Sequence, residues 1–295
     1  MQLSQIRRFF RAANAVSPEF AGALALRAFA MTQPRMPLRS VDTATVAAAE
    51  RDSIRIRDVD VVTYSWGRGD DTVLLVHGWR GRASQFAPLV RELVAEGFHV
   101  VAFDAPAHGA SGKDRTDIRD WIATIDALQQ RHGRFRLIVG HSFGALAALA
   151  AVRAGTTTTR VATIAGTGTP QVLFDQFAAI LGLAPRAKDA FVRRFHRRLD
   201  IDVEEMTRRF DSVAHPLPAH VELLAIHDDT DLQMPVAATA DLVAAHADQA
   251  RFVRTHGHGH NRLLAVDVTL DAVVAFANGG LARIDTARAG ASSAD

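Results

Sequence analysis

The amino-acid sequence predicts an α/β fold with a mostly parallel, doubly wound central sheet. Short, mostly apolar segments recur along the chain, and such segments are typical of strands that are covered on both faces. They span residues 72–76, 98–103, 135–139, 161–165, 221–226 and 251–254. Helical periodicity separates them, as at Ile118, Trp121, Ile125 and Leu128. Strands that alternate with helices form a parallel sheet, and right-handed crossovers place helices on both of its faces.

Residues 1–50 are predicted to form an N-terminal helical extension ahead of the sheet. Residues 3–30 have the pattern of amphipathic helices that pack on the body of the protein. The stretch has some features of a secretory signal peptide, but Arg27 interrupts its apolar run and Pro18 precedes that run. Contact of residues 1–30 with a membrane surface is the alternative that stays open.

The α/β core is predicted to occupy residues 51–169 and 219–280, beginning with a hairpin over 53–66 in which apolar and polar residues alternate. Residues 170–218 break the alternation of strands and helices, and we expect a small helical cap insertion there. A cap over the carboxyl ends of the strands would wall an apolar pocket. The alternative is that these helices pack on the body without touching a ligand. Residues 281–295 are expected to be a flexible tail.

Composition narrows the possible partners. The chain has 295 residues, of which 48% are hydrophobic and 22% are charged, as in a globular protein. Its 34 basic and 32 acidic residues give a net charge of +2, which is too small to indicate nucleic acid. The basic run at 193–198 precedes several acids and indicates a solvated helix face, with a polyanion site as the alternative.

Two further absences bear on chemistry and location. The chain contains 0 cysteines, which excludes disulfides and thiolate catalysis. No apolar stretch reaches the ~20 residues that span a bilayer, and we expect a cytoplasmic protein. The oligomeric state is left open.

The most specific motif joins the strand at 135–139 to an apolar helix through Gly140-His-Ser142-Phe-Gly144. This arrangement is typical of a nucleophile elbow, a turn so tight that neither glycine position has room for a side chain. Ser142 would then be displayed at the end of the strand as a nucleophile. A structural N-cap serine is the alternative.

A serine hydroxyl needs a base, and the base needs a carboxylate to orient it. His260 is the predicted base, because it follows the last strand at the start of a helix. Asp231, in the polar loop after the strand at 221–226, is predicted to orient it. Asp228 and Asp229 of the same loop are expected to form the turn.

The alternating His256, His258 and His260 also allow a metal site as a rival interpretation. No acidic ligand lies close to them in the sequence, and the order serine, acid, histidine already explains His260. We therefore expect no metal.

Two backbone N–H groups are predicted to form an oxyanion hole. One belongs to Phe143, the residue after the nucleophile, and the other to Trp79, in the loop after the strand at 72–76. Gly78 would let this loop approach the reacting carbonyl, and His77 is expected to brace the loop.

Taken together, these residues resemble the α/β-hydrolase superfamily over about residues 53–278, and in particular bacterial serine hydrolases of the esterase or lipase type with a small cap. The landmarks are His77-Gly78-Trp79, the loop from Asp104 to Gly112, the motif from Gly140 to Gly144, and Asp231 with His260. The resemblance implies the α/β-hydrolase fold, no cofactor, and a structural position for Asp104. Dehalogenase and epoxide hydrolase activities are disfavoured, because those relatives use an aspartate nucleophile where this chain has Ser142.

We expect a serine hydrolase that cleaves a carboxylic ester through an acyl-serine intermediate, with a partly apolar small-molecule ester as substrate. Acyl transfer to an alcohol or thiol, or hydrolysis of a thioester, amide or carbon–carbon bond, would use the same residues. A ligand-binding protein that keeps the fold without catalysis is the alternative from another class.

Overall fold

One sheet of eight strands forms the centre of the computed structural model, which describes residues 3–292. The strands are β1 (Glu50–Ile56), β2 (Val59–Trp66), β3 (Thr72–Val76), β4 (His99–Phe103), β5 (Phe135–His141), β6 (Arg160–Ile164), β7 (Glu222–Asp228) and β8 (Ala250–Thr255). They lie in the order β1-β2-β4-β3-β5-β6-β7-β8. β2 is antiparallel to both of its neighbours, and all other pairs are parallel. The predicted fold class is confirmed.

Helices cover both faces of this sheet, as a doubly wound fold requires. In the described part of the chain they are α1 (Leu3–Val16), α2 (Pro18–Phe29), α3 (Thr43–Ala47), α4 (Ala87–Ala95), α5 (Ile118–His132), α6 (Phe143–Arg153), α7 (Pro170–Leu181), α8 (Pro185–Leu199), α9 (Val203–Phe210), α10 (Val236–His246), α11 (Gly259–Arg262) and α12 (Asp267–Ser292). Two large clusters of buried apolar side chains fill the layers between helices and sheet.

Strand β3 shows how the two layers are built. Its side chains point alternately to opposite faces of the sheet. Leu74 and Val76 join the cluster that contains α5 and α6, whereas Val73 and Leu75 join the cluster that contains α4 and α12. All four side chains are completely buried. Because both faces of this central strand are covered, its sequence is apolar without interruption.

The segment 170–218 between β6 and β7 holds α7, α8 and α9, and these helices do not all pack alike. Met206 and Phe210 of α9 join the core cluster next to α6. By contrast, Phe174 of α7 and Phe191 of α8 belong to a separate cluster together with Phe10 of α1. We therefore describe α7 and α8 as the upper cap, because their apolar sides are shared with the N-terminal helices.

The N-terminal helices pack on the upper cap, whereas the sequence led us to expect them on the body. Gly22 of α2 explains how closely α2 and α8 approach. A β-carbon at Gly22 would lie 2.7 Å from the Cβ of Ala190 and 2.8 Å from the backbone nitrogen of Phe191. Only a residue without a side chain fits there, so the two helices pack backbone to backbone.

The residues predicted to form a flexible tail, 281–295, begin as a helical segment. Helix α12 continues to Ser292 with a break at Gly280, where φ is 66°. Beyond the break, Leu281 and Ile284 are buried in the same cluster as α4. The apolar side chains after Gly280 thus keep this segment on the body. Residues 293–295 lie outside the described residues.

Asp104, at the end of β4, holds two loops together at the carboxyl edge of the sheet. Its buried carboxylate accepts hydrogen bonds from the backbone N–H groups of Ala83 and Ala110, both at 2.8 Å, and from the Tyr64 hydroxyl at 3.1 Å. Burial, together with the adjacent Asp104 charge, raises the pKa of Tyr64 to about 12. The structural position inferred for Asp104 agrees with these contacts.

We predict that Asp104→Ala lowers the free energy of unfolding by about 3 kcal/mol, because two buried N–H groups lose their acceptor. Urea denaturation of the purified variant measures this loss. Asp60→Ala is the matched control: Asp60 is an exposed aspartate whose carboxylate pairs with Arg55 on the surface, and its removal should cost less than about 1 kcal/mol. Equal losses in the two variants would contradict the account.

Candidate active site

The turn between β5 and α6 has the conformation predicted from the motif. Ser142 has φ 53° and ψ −120°, an uncommon region for a residue with a side chain. A β-carbon at Gly140 would lie 2.5 Å from the Cα of Ala145, and one at Gly144 would lie 2.2 Å from the carbonyl oxygen of Val76. Both positions therefore require glycine, and the serine between them is held by close backbone packing.

Ser142 is half-buried and lines an open cavity of about 570 Å³, which we call the main cavity. Trp79 follows β3, Ser142 follows β5 and His260 follows β8, and all three line this cavity. The cavity therefore lies at the carboxyl ends of parallel strands, where ligands bind in open α/β sheets. Upper cap residues Leu173 and Phe177 form part of its wall.

Asp231 and His260 are in direct contact. His260 Nδ1 lies 2.7 Å from Asp231 Oδ2, and the other carboxylate oxygen accepts the backbone N–H groups of Gln233 at 2.8 Å and Met234 at 3.0 Å. A carboxylate on Nδ1 fixes the proton on that nitrogen and leaves Nε2 as the basic atom of the ring. The structure thus brings together the predicted acid and base, 29 residues apart in the sequence.

Sequence reasoning missed His227, a buried histidine behind Asp231. Its Nε2 is 3.3 Å from Asp231 Oδ2. Burial of Asp231 opposes its ionisation, but hydrogen bonds from His227 and His260 outweigh burial and hold the pKa of this carboxyl well below its usual range. Asp231 is therefore a carboxylate at neutral pH. The position of His227 at the end of the buried strand β7 was the only sequence signal for it.

Asp228 and Asp229, which were both expected to form the turn, have different partners in the structure. Asp228 accepts hydrogen bonds from the hydroxyl of Thr255 at 2.7 Å and from the backbone N–H groups of His258 and Gly259, both at 3.0 Å. Burial opposes its charge, but a hydrogen bond from the Thr230 hydroxyl, together with these three, outweighs burial and keeps the pKa of Asp228 far below its usual range. Asp228 thereby fixes the loop that carries His260, whereas exposed Asp229 pairs with Arg254 at 2.8 Å.

His141, next to the serine, is a second residue that sequence reasoning missed. Its ring is buried, and Nε2 donates a hydrogen bond of 3.1 Å to the carbonyl oxygen of His260. Among the described residues, Nδ1 of His141 has no hydrogen-bond partner. Burial, followed by the proximity of His260, lowers the pKa of His141 to about 3. This neutral imidazole ties the His260 backbone to the serine turn.

The loop that carries Trp79 packs against the turn that carries Ser142 and Phe143. A β-carbon at Gly78 would be 3.0 Å from the Cβ of Ser142, so the loop that carries Trp79 runs against the serine. The rings of Trp79 and Phe143 meet edge to face with centroids 5.2 Å apart. His77 braces this loop as expected, because its buried Nε2 accepts the backbone N–H of Ala105 at 3.0 Å.

The remaining sequence hypotheses concern metal, charge and membrane. Within residues 3–292, no group of three or more His, Cys, Asp or Glu side chains could hold a metal ion.

In the basic run at 193–198, Arg193 and Arg194 pair with Glu19 of α2 at 2.6 and 3.2 Å. No single helix in the described part is long and apolar enough to cross a membrane; one pair bent by 58°, 259–265 with 267–286, meets the length and composition criteria.

A sequence profile of the alpha/beta hydrolase family matches residues 73–285, which include Ser142, Asp231 and His260. The chain belongs to the alpha/beta hydrolase family. It is thus a hydrolase, and its eight-stranded sheet with helices on both faces is the architecture of its structural neighbours. The N-terminal extension precedes the matched region.

Solved structures of this fold cover most of the chain. Alpha/beta hydrolase domain-containing protein 10 from mouse has a TM-score of 0.63 at 12% identity, covering 80% of this chain and 100% of that one. The esterase Pf2001 of Pyrococcus furiosus has a TM-score of 0.60 at 20% identity, covering 85% and 95%. A membrane phospholipase A described as a bacterial virulence factor has a TM-score of 0.61 at 19% identity, covering 94% and 97%.

A curated relative matches a shorter segment. The pimeloyl-[acyl-carrier protein] methyl ester esterase of Stenotrophomonas maltophilia is 47% identical over 53 residues, which is 18% of this chain and 20% of that protein. The chain therefore matches about a fifth of the length of this relative.

The buried imidazoles predict that stability falls in mild acid. Burial lowers the pKa of His77 well below its usual range, that of His108 to about 4 and that of His141 to about 3. In the unfolded chain each would titrate near about 6.5, so below that pH the unfolded state binds more protons than the folded state. The stabilisation is complete above pH ~6.5 and is lost as the pH falls toward ~4.

Each of these three groups should remove about 1.4 kcal/mol of unfolding free energy per pH unit between pH ~6 and ~4.5. Urea denaturation at a series of pH values measures the slope. In His141→Gln, the slope of unfolding free energy against pH should be smaller by the contribution of one histidine. A wild-type stability that is constant from neutral pH into this range would contradict the assignment of neutral buried imidazoles.

Proposed function

We propose that the protein is a serine esterase in which Ser142 is the nucleophile, His260 the general base and Asp231 the residue that orients His260. The observation that carries this proposal is the 2.7 Å contact between His260 Nδ1 and Asp231 Oδ2, beside a serine of positive φ on the same cavity. A buried carboxylate paired with an imidazole at the edge of an open cavity is the arrangement that activates a hydroxyl.

In the first half-reaction, His260 Nε2 takes the proton of the Ser142 hydroxyl while Oγ attacks the ester carbonyl carbon. The oxyanion that forms accepts hydrogen bonds from the backbone N–H groups of Phe143 and Trp79. Collapse of this intermediate breaks the bond between carbonyl carbon and alcohol oxygen. The leaving alcohol receives the proton from His260, and the acyl group remains on Ser142.

Water completes the cycle by the same route. His260 removes a proton from a water molecule, and the hydroxide oxygen adds to the acyl carbon. The second intermediate expels the Ser142 oxygen, which regains its proton from His260, and the carboxylic acid leaves. Throughout, Asp231 stabilises the transient imidazolium, which is consistent with the lowered pKa of its carboxyl group.

Transfer of the acyl group to an alcohol or thiol, and hydrolysis of a thioester, would use the same residues. The names of the esterase relatives favour an ester and water. The acyl group itself is not inherited from the curated relative, since the match covers only 18% of this chain. The acceptor can be tested directly by adding methanol during turnover, because an acyltransferase would form the methyl ester in preference to the acid.

We predict that a fluorophosphonate probe labels the wild type and leaves Ser142→Ala unlabelled. Short-chain nitrophenyl ester turnover should fall by at least about 10⁴-fold in Ser142→Ala and His260→Ala, and by about 10³- to 10⁴-fold in Asp231→Asn. Asp229→Asn is the matched control, because this neighbouring aspartate pairs with Arg254 on the surface. An inert wild type, or equal losses in the two asparagine variants, would sink the assignment.

We also propose that α1 rests on an anionic lipid surface. This helix carries Arg7, Arg8 and Arg11 and no acidic residue. Phe9 and Val16, seven residues apart and hence on one side of the helix, are 52% and 76% exposed. Basic and exposed apolar side chains on one amphipathic helix favour the membrane interface. Arg7 donates to the carbonyl of Ile180 at 3.1 Å, which places α1 beside a helix of the main cavity.

Vesicle co-sedimentation tests this contact. The wild type should pellet with vesicles that contain phosphatidylglycerol, less with pure phosphatidylcholine, and less again at high salt. The double variant Phe9→Ser with Val16→Ser should lose binding, whereas Ala15→Ser, an exposed position on the same helix, should keep it. Wild-type protein that stays in the supernatant with every vesicle would rule the contact out.

A further inference from the structure

A second, smaller cavity lies beside the main cavity. Its volume is about 50 Å³, and we call it the inner chamber. Apolar side chains from several helices converge on it, including Leu26, Leu146, Phe174, Leu199, Met206 and Phe210. Leu146, Met206 and Phe210 belong to the large core cluster, whereas Phe174 belongs to the cluster shared with the N-terminal helices. The chamber is therefore enclosed jointly by the core, the cap and the N-terminal extension.

Four residues line both cavities and so separate them: Phe29, Trp79, Phe143 and Leu173. Two of the four, Trp79 and Phe143, are the residues whose backbone N–H groups are assigned to the oxyanion hole. The inner chamber thus begins directly behind the point at which an ester carbonyl would be held. A substituent on the carbonyl carbon that points away from solvent would be directed toward Phe29 and Leu173.

Phe29 is the most connected of the four. Its ring meets those of Phe177, Phe191, Phe195 and Phe174 with centroids 5.0, 5.3, 5.6 and 5.9 Å away. It is the last residue of α2 and precedes the family match at residues 73–285. This wall of the chamber is hence supplied by the N-terminal extension rather than by the matched region.

The chain after Phe29 is fastened to the core. Trp79 Nε1 donates to the carbonyl oxygen of Met31 at 3.1 Å. Arg35 donates to the carbonyl oxygens of Ser111 at 2.6 Å and Lys113 at 2.8 Å. These contacts fix the position of Phe29 relative to the upper cap. The extension is thus positioned as a part of the pocket.

The polar residues of the chamber lining have other partners or reach solvent. The Asp117 carboxylate accepts hydrogen bonds from the backbone and guanidinium of Arg119, and the Thr116 hydroxyl donates to Asp120 at 3.1 Å. Arg198 is exposed. The interior offers hydrocarbon contacts, so its ligand is an apolar chain rather than a polar or charged group.

We propose that the inner chamber is the acyl-chain subsite of this hydrolase and that Phe29 limits the length of the unbranched apolar chain that it accepts. This inference rests on the proposed serine esterase function. In it, the carbonyl group lies at Ser142 and the chain passes between Phe29 and Leu173 into the chamber. The N-terminal extension then determines specificity, because removing the Phe29 ring widens the passage through which a longer chain reaches the chamber.

The test is the dependence of kcat/KM on acyl chain length, measured with nitrophenyl esters from acetate to decanoate. Phe29→Ala should raise kcat/KM for long relative to short chains by at least about tenfold, and Leu26→Phe, which fills the chamber, should lower kcat/KM for medium chains relative to that for acetate. Phe29→Leu retains more of the packing of the aromatic cluster than Phe29→Ala does, and it should shift the chain-length profile in the same direction. It therefore serves as the test variant if Phe29→Ala does not fold.

Phe20→Ala is the matched control, since it truncates a phenylalanine of the same helix α2 that is 49% exposed and does not line the chamber. Its chain-length profile should equal that of the wild type. If the wild type labels with fluorophosphonate and hydrolyses acetate, but the profiles of Phe29→Leu and Leu26→Phe are also those of the wild type, the subsite is wrong while the esterase function stands. Absence of labelling and acetate turnover in the wild type would overturn both.

Discussion

The close backbone packing around the turn from β5 to α6 constrains every other part of the site. Gly144 fits against the carbonyl oxygen of Val76, where a β-carbon would lie 2.2 Å away, and Gly78 fits against Ser142 in the same way. The serine turn and the loop after β3 are consequently one rigid unit. Because the reacting groups need little rearrangement, electrostatic stabilisation by fixed backbone donors becomes effective.

The other half of the site is held by buried polar contacts. Asp228 joins the end of β7 to the loop after β8, and Asp231 then reaches His260 from the same β7 loop. From the opposite side, His141 bonds the carbonyl oxygen of His260. The imidazole is thus fixed through both its ring and its backbone. Isolated buried charges are costly, and here each carboxylate is stabilised by several donors.

Features of the fold and site could be predicted from the sequence where they depend on a local motif or on the order of elements along the chain. The period of the apolar residues predicted the sheet, and the two glycines around Ser142 predicted the turn. The contact between Asp231 and His260 could be predicted because each residue follows a late strand. The roles of His227 and His141 could not be predicted in this way. Their hydrogen-bond partners come close only in the folded sheet, and a histidine at the end of a strand has no distinctive sequence pattern.

The extension and the tail show a second limit. Amphipathic periodicity predicts that α1 and α2 bury one side, but it does not state which surface covers that side. The covering surface is the upper cap, where Gly22 allows contact with α8 at backbone distance. Similarly, Gly280 resembles a residue at which the last helix of the core would end. Leu281 and Ile284 nevertheless continue the pattern of buried side chains beyond it. Tertiary contacts therefore decide both outcomes.

Whether Ser142 carries the acyl group can be determined by peptide mass spectrometry of the enzyme, quenched during turnover of a slowly deacylating nitrophenyl ester. The account predicts one acyl group per chain, attached to the Ser142 hydroxyl, together with a burst of about one equivalent of nitrophenolate. Turnover without any acylated peptide, or an acyl group on a different residue, would contradict the account, because hydrolysis would then proceed without the serine that this turn displays.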